Sequence, residues 1–182
     1  KCQVLVIGAG PGGYVAGIRS AQLGLDTIVV EGDKAGGTCL IRGCIPSKAI
    51  IHAAERFESL RQHSADGGHM GLSVKGEAEV DMVGLVSWKD SIVERLNKGV
   101  EGLLKAAGAD LIKGWASFEG PKSCIVDTSA GSVKIEAENV IIATGSSHID
   151  LPFMPCDEEF VISSTGALDL EALPKSVAIV GG

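Results

Sequence analysis

"VLVIGAGPGGYVAG", residues 4–17, decides the fold. The unbroken apolar run at 4–7 reads as a strand buried in a parallel sheet. It ends at Gly8-Ala9-Gly10-Pro11-Gly12-Gly13, which fits G-x-G-x-x-G, and a helical pattern through Val15, Ile18 and Leu23 follows. "DTIVVE", residues 26–31, is a second buried strand, so the first 31 residues form a β-α-β unit. In such a unit the first glycine permits the tight turn, the second lets a pyrophosphate approach the backbone, and the third lets helix and strand pack closely. The helix N-terminus attracts phosphates through its N–H groups and its dipole. Glu31 closes the second strand eighteen residues after Gly13, where an acid accepts hydrogen bonds from ribose hydroxyls. Elsewhere it would read as an ordinary surface acid. The unit binds a dinucleotide, and spacing alone does not separate NAD from FAD.

Composition agrees with an α/β protein. Of 182 residues 45% are hydrophobic, ample for a packed core, and 25 are glycines, suited to close backbone approach. A net charge of −7 leaves no basic face, which argues against nucleic acid or an anionic membrane as partner. No apolar run approaches the ~18 residues that span a bilayer, and the early glycines break any signal-peptide pattern. Five cysteines, of which only Cys39 and Cys44 are close together, do not make a secreted disulfide framework. A reducing compartment is expected.

Beyond the first unit, residues 38 to about 63 look helical, and "GGHMGL" at 67–72 is a break. Residues 81–107 read as a long helix with apolar positions at Val86, Val93, Leu96, Val100 and Leu103, a stripe for core or subunit packing. Short strands follow in "DLIKGWASF", "SCIVDT" and "SVKIE", with "SAG" as a hairpin turn, and then a buried strand in "ENVIIATGSS". Residues 147–176, with three prolines, read as a connecting segment. The chain starts at Lys1 directly on a strand and stops at "SVAIVGG", a strand running into a glycine turn, so a longer protein is expected.

"GGTCLIRGCIPSK", residues 36–48, places two cysteines five apart behind a glycine pair. Zinc would want four ligands, and His52, His63 and His69 have no paired spacing that completes a site. A purely structural disulfide is unusual in a reducing compartment. A redox disulfide makes better sense, because Gly43 helps the loop bend and a helix N-terminus stabilises a thiolate. Lys48 adds a positive charge one turn on, though elsewhere it would be a solvated helix lysine. Cys2 and Cys124 read as buried small apolar residues and Cys156 as exposed, while Trp88 and Trp115 read as packing residues.

"VIGAGPGGYVAGIRSAQLGL", "VVEGDKAGGTCLIRGCIPSKA" and "NVIIATGSS" together resemble the FAD-dependent pyridine nucleotide–disulfide oxidoreductases, over essentially the whole chain. The helix "WKDSIVERLNKGVEGLLKAAG" pulls toward the lipoamide-linked branch. The resemblance implies a Rossmann-like FAD-binding domain over 1–146, a parallel sheet with flanking helices and an inserted small antiparallel β-meander. The connecting segment over 147–176 and the first strand of an NAD-binding domain at 177–182 would follow. Gly8, Gly10, Gly12 and Gly13 would hold the FAD pyrophosphate and Glu31 the adenosine ribose. Gly37, Thr38 and Cys39 would line the pyrophosphate and flavin side. Cys44 would be the charge-transfer thiolate, Cys39 the interchange thiol, and Lys48 would sit near the flavin. Gly114 to Ala116 would touch adenine, and Thr144, Gly145 and Ser146 would cross the cofactor.

The implied reaction passes electrons from a dithiol, dihydrolipoamide, through a Cys39–Cys44 disulfide and FAD to NAD+. Dihydrolipoamide would be carried on the acyltransferase of a 2-oxo acid dehydrogenase complex, and the whole protein would be a homodimer in the cytoplasm or mitochondrial matrix. The NAD domain and the family's catalytic His-Glu pair would lie outside this chain, so none of His52, His63, His69 or His148 is expected to be the base. This chain alone would not turn over. Ile41-Arg42 departs from the family's usual Asn-Val and brings a charge near the disulfide. Glutathione, mercuric and trypanothione-type reductases share the cysteine pair. A non-catalytic flavin module and an NAD-binding protein with incidental cysteines are the readings from other classes.

Overall fold

The computed structural model describes residues 1–65 and 71–181. The chain divides into two compact units, Lys1–Ile45 with Val93–Ile149, and Pro46–Ile92 with Asp150–Gly182. His69, most of the expected break at 67–72, and the terminal Gly182 lie outside the described residues.

The first unit is built on the opening β-α-β pattern. β1 (Cys2–Ile7) leads through the glycine turn into α1 (Pro11–Gln22), and β2 (Thr27–Glu31) returns parallel to β1 with Val6 opposite Val29. The remaining strands are β3 (Asp110–Lys113), β4 (Trp115–Gly120), β5 (Ser123–Thr128) and β6 (Gly131–Ile142). They form one six-stranded sheet in the order β3-β2-β1-β6-β5-β4. β3, β2, β1 and β6 are mutually parallel, whereas β4, β5 and β6 form an antiparallel meander. This is a mixed α/β, Rossmann-like architecture with the inserted antiparallel meander that the resemblance implies.

Two strand boundaries differ from expectation. "SVKIE" and "ENVIIA" are one twelve-residue strand, β6. Its first part pairs with β5 up to Glu136, and its second part pairs with β1 from Ala137 to Ile142. Polar Glu136, Glu138 and Asn139 interrupt the apolar pattern, but the backbone ladder continues because each half has a partner. Conversely "DLIKGWASF" is two strands divided at Gly114. There the chain passes from one end of the sheet order to the other, with Lys113 opposite Glu31 and Trp115 opposite Asp127. The sheet therefore curls until its end strands join through a single residue. A Cβ at Gly114 would stand 2.5 Å from the Asp127 carbonyl oxygen, so the joint requires glycine.

Two apolar cores form, with alternate residues of β1 in each. One core gathers Leu5, Ile7, Val30, Cys124, Val126 and Ile135, and the other gathers Val4, Val6, Val29, Val100 and Leu104. Leu5 and Leu104 are fully buried, each worth roughly 1.5–3 kcal/mol by apolar burial. Cys2 and Cys124 are core residues as expected, and burial is the main cause pushing both thiols up from their ordinary value.

The expected helical segment at 38–63 is two helices, α2 (Gly37–Arg42) and α3 (Cys44–Ala65), interrupted at Gly43. α4 (Met82–Ala107) is the long helix. Its buried positions are Lys89, Val93, Val100 and Leu104, with half-buried Asn97 in the same register, whereas Leu96 and Leu103 are exposed. The inward positions beside the two exposed leucines belong to Asn97 and Leu104, and polar Lys89 and Asn97 thus occupy inward positions that hydropathy assigns to the surface.

In the second unit, Lys89 makes an ion pair with Asp169, another with Asp90 at 2.9 Å, and donates to the Leu168 carbonyl at 3.1 Å. Burial pushes its ammonium down, but the bonds to Asp169 and Asp90 outweigh this and hold it above its ordinary value. Asp169 follows α5 (Ser164–Ala167), which Ser163 caps through the amides of Thr165 and Gly166. Cys156 is half-buried, not exposed, because its sulfur turns inward to the Glu158 carboxylate and the Val161 carbonyl. Residues 177–181 form no strand and are not among the six strands of the sheet. Their apolar pattern suits a strand, but a strand needs a neighbour to satisfy its backbone groups.

Candidate functional site

The site begins where β1 ends. Gly8 has φ +96°, and a Cβ there would stand 2.3 Å from the Ala143 carbonyl oxygen, beside Thr144. Its N–H donates to the Val30 carbonyl at 2.7 Å, and the Ala143 N–H donates to the Ile7 carbonyl at 2.8 Å. The turn is thereby clamped between β2 and the end of β6. A Cβ at Gly13 would lie 1.7 Å from the Gly8 carbonyl oxygen, so α1 can start this close to the turn only with glycine there. Gly17, one turn on, also lets α1 approach the sheet closely, since a Cβ there would lie 2.5 Å from Val29 Cγ2.

Gly12 differs from both. It is exposed, and beyond its own stretch of backbone no described atom lies within 4 Å of the place its Cβ would take. Gly10 is the N-cap of α1, its carbonyl accepts the first helical bond from Tyr14, and Pro11 occupies the first helical position. The first-turn N–H groups of a helix have no acceptor within it. The open space at Gly12, over those groups, fits a pyrophosphate.

Glu31 sits beside this turn. One carboxylate oxygen accepts from the Ala9 N–H at 2.6 Å and the other from the Asp33 N–H at 2.9 Å. Its backbone carbonyl accepts from the Gly114 N–H at 2.9 Å, which brings the Gly114–Ala116 stretch to the same strand end. Trp115 is 72% exposed, yet its ring lies over Gly32, where a Cβ would come within 2.7 Å of ring carbons. The expected ribose and adenine residues are therefore neighbours, and Gly32, which the motif did not single out, makes room for the indole.

The thiol segment is seated on the glycine turn. The Gly36 N–H donates to the Ala9 carbonyl at 2.8 Å, and a Cβ at Gly37 would come 2.5 Å from Gly10 Cα. Gly36 has φ +116° and Gly37 φ +64°, conformations that favour glycine. α2 starts there and carries exposed Thr38 and half-buried Cys39. At Gly43, a Cβ would lie 2.8 Å from the Thr38 carbonyl oxygen, so the chain folds back against its own helix before Cys44 opens α3. Cys44 is exposed. Arg42 makes an ion pair with Asp33, so the charge that departs from the usual motif is matched by an acid of the loop after β2.

Of the expected site residues, Gly8, Gly10, Gly13, Glu31, Gly37, Gly114 and Thr144 are thus linked by direct contacts. Gly145, with φ +73°, and exposed Ser146 continue from Thr144. Lys48 is an exposed residue of α3 and belongs to the second unit. Among the described residues, no helix is long and apolar enough to cross a membrane.

Comparison with known proteins agrees with this arrangement. The family described as pyridine nucleotide-disulphide oxidoreductase matches residues 2–182. A dihydrolipoyl dehydrogenase of Pseudomonas aeruginosa is 48% identical over 183 residues, covering 100% of this chain and 39% of that protein. A dihydrolipoyl dehydrogenase of Bacillus subtilis is 47% identical, covering 100% of this chain and 37% of its own length. Among solved structures, the HOCl-induced flavoprotein disulfide reductase RclA from Escherichia coli superposes with a TM-score of 0.74 at 28% identity, over 94% of this chain and 35% of that one. The chain therefore spans less than two-fifths of the length of each of these relatives.

Proposed function

The chain belongs to the pyridine nucleotide-disulphide oxidoreductase family, and on that premise we propose that it is the FAD-binding, thiol-bearing part of a dihydrolipoyl dehydrogenase. The observation that carries this reading is the seating of the thiol segment on the dinucleotide turn, through Gly36 N–H to Ala9 and Gly37 against Gly10. A nicotinamide-binding turn with incidental cysteines would have no need of that contact.

In this reading Gly10, Gly12 and the first turn of α1 bind the pyrophosphate. Glu31 accepts from the ribose, and the backbone of Gly114–Ala116 meets the adenine. Gly37, Thr38, Thr144, Gly145 and Ser146 border the cofactor, and Lys48 adds positive charge near the flavin. When bound, FAD accepts the two electrons of the reduced cysteine pair and delivers a hydride to NAD+, which a further domain holds.

The chain's own chemistry is thiol–disulfide exchange between a dithiol substrate and the Cys39–Cys44 disulfide. A thiolate of dihydrolipoamide attacks Cys39 Sγ, the Cys39–Cys44 bond breaks, and Cys44 leaves as a thiolate. The second substrate thiol then displaces Cys39, closing the lipoamide disulfide. Two electrons and two protons pass to the protein, and a base outside this chain takes up a proton. The whole protein is a homodimer that works on lipoyl groups carried by the acyltransferase of a 2-oxo acid dehydrogenase complex, in the cytoplasm or mitochondrial matrix. Residues 177–182 lead into its NAD-binding domain.

The test is the visible spectrum of the full-length protein, without oxygen, before and after a stoichiometric dithiol. A flavin spectrum that gains a long-wavelength band, lost in Cys44→Ser, supports the relay. Flavin without the band leaves a non-catalytic flavin module. A colourless protein returns the reading to a nicotinamide protein. Turnover with oxidised glutathione in place of lipoamide would move the substrate to the related reductases.

A further inference from the structure

We propose that Asn97 is a positioning residue for Cys39, because its side-chain amide, reaching from α4 to the Ala35 carbonyl, sets where the thiol-bearing helix begins. The inference rests on the cysteine-pair reading above.

Asn97 stands out by its place on α4. Buried Val93 and Val100 lie four before and three after it, and buried Leu104 seven after it, so position 97 belongs to the inward stripe. An apolar residue there would extend the core. Asn97 instead donates from Nδ2 to the Ala35 carbonyl oxygen at 2.6 Å. Ala35 is 1% exposed, and a buried carbonyl left without a donor is destabilising. A polar residue on the stripe is therefore explained by the loop and not by the helix.

The loop in question leads directly to the thiol. Ala35 is followed by Gly36, the N-cap of α2, which has no side chain of its own to cap the helix. On the side of the glycine turn, Gly36 is held by the Ala9 carbonyl and Gly37 by Gly10. On the side of α4, Asn97 holds Ala35. The start of α2 is thus fixed between two supports, and Cys39 is the third residue of that helix. Withdrawing the α4 support frees the loop to shift α2 while the glycine turn stays in place.

The experiment follows the alkylation rates of Cys39 and Cys156 by peptide mass spectrometry, in the reduced full-length protein with iodoacetamide as probe. Cys156 lies in the second unit and serves as the internal control. In Asn97→Leu, the Cys39 rate should change about three- to tenfold, the span that one hydrogen bond provides, with the Cys156 rate unchanged. Asn97→Asp, which keeps the size but turns an acceptor toward the Ala35 carbonyl, should change it likewise and serves if the leucine variant does not fold. Asn97→Gln, which keeps an amide donor, should recover part of the wild-type rate. An unaltered Cys39 rate in a folded variant, or equal changes at Cys39 and Cys156, would overturn the proposal. The readout needs no flavin, so failure of the flavin reading would show separately, as a colourless protein.

Discussion

The glycine turn at 8–13 and the thiol segment at 36–44 are both glycine-rich, yet their glycines answer to different neighbours. In the thiol segment every glycine is required by the protein itself. Side-chain atoms at Gly36 and Gly37 would strike Leu40 and Gly10, and one at Gly43 would strike Thr38. In the glycine turn only Gly8 and Gly13 are crowded in this way, while Gly12 faces open space. Gly12, open at the first turn of α1, is the glycine on which the proposed pyrophosphate contact rests. The contrast separates residues that build the site from residues that leave room in it.

The sharpest way to break this contrast is Gly13→Ala. The new methyl would have to displace the Gly8 carbonyl, and a loss of about 4 kcal/mol, at the upper end of single substitutions, is expected in urea unfolding. A near-neutral result would mean that the turn yields easily and that crowding does not identify its structural glycines. Gly12→Ala should do the opposite. Stability should move by less than about 0.5 kcal/mol, while flavin affinity, read by titrating the apoprotein of the full-length enzyme, should fall about tenfold, or 1.4 kcal/mol. Equal flavin binding in wild type and Gly12→Ala would remove the ligand-reserved assignment.

The smallest effect tests the other segment. Arg42–Asp33 joins α2 to the loop after β2, but both side chains are nearly half exposed. Solvent screening limits such a pair to about 0–1 kcal/mol, so Arg42→Ala should barely change the unfolding midpoint, and less so at high salt. A larger loss would show that the segment is held by charge as much as by close backbone packing.

Much of the site was legible in the chain itself because its requirements are local. The apolar run at 4–7 and the glycines at 8–13 define strand and turn by spacing alone, and the structure places the acid at 31 beside that turn, on the Ala9 N–H. What escaped was set by distant neighbours. Gly17 and Gly32 are ordinary in sequence, and only Val29 and the Trp115 ring make them necessary. Leu96 looks like core by hydropathy, yet the helix turns Asn97 inward to serve a carbonyl 62 residues earlier in the chain.

The amino-acid sequence by itself determined the β-α-β unit, the dinucleotide turn and the presence of a paired-cysteine segment, since each depends on residues a few positions apart. Tertiary structure alone decided that the sheet curls shut at Gly114, that β6 serves two partners, and that the thiol segment rests on the glycine turn. Those outcomes depend on which backbone groups find one another across long stretches of chain. Such pairing follows from burial and hydrogen bonding in the folded molecule, and no local pattern encodes it.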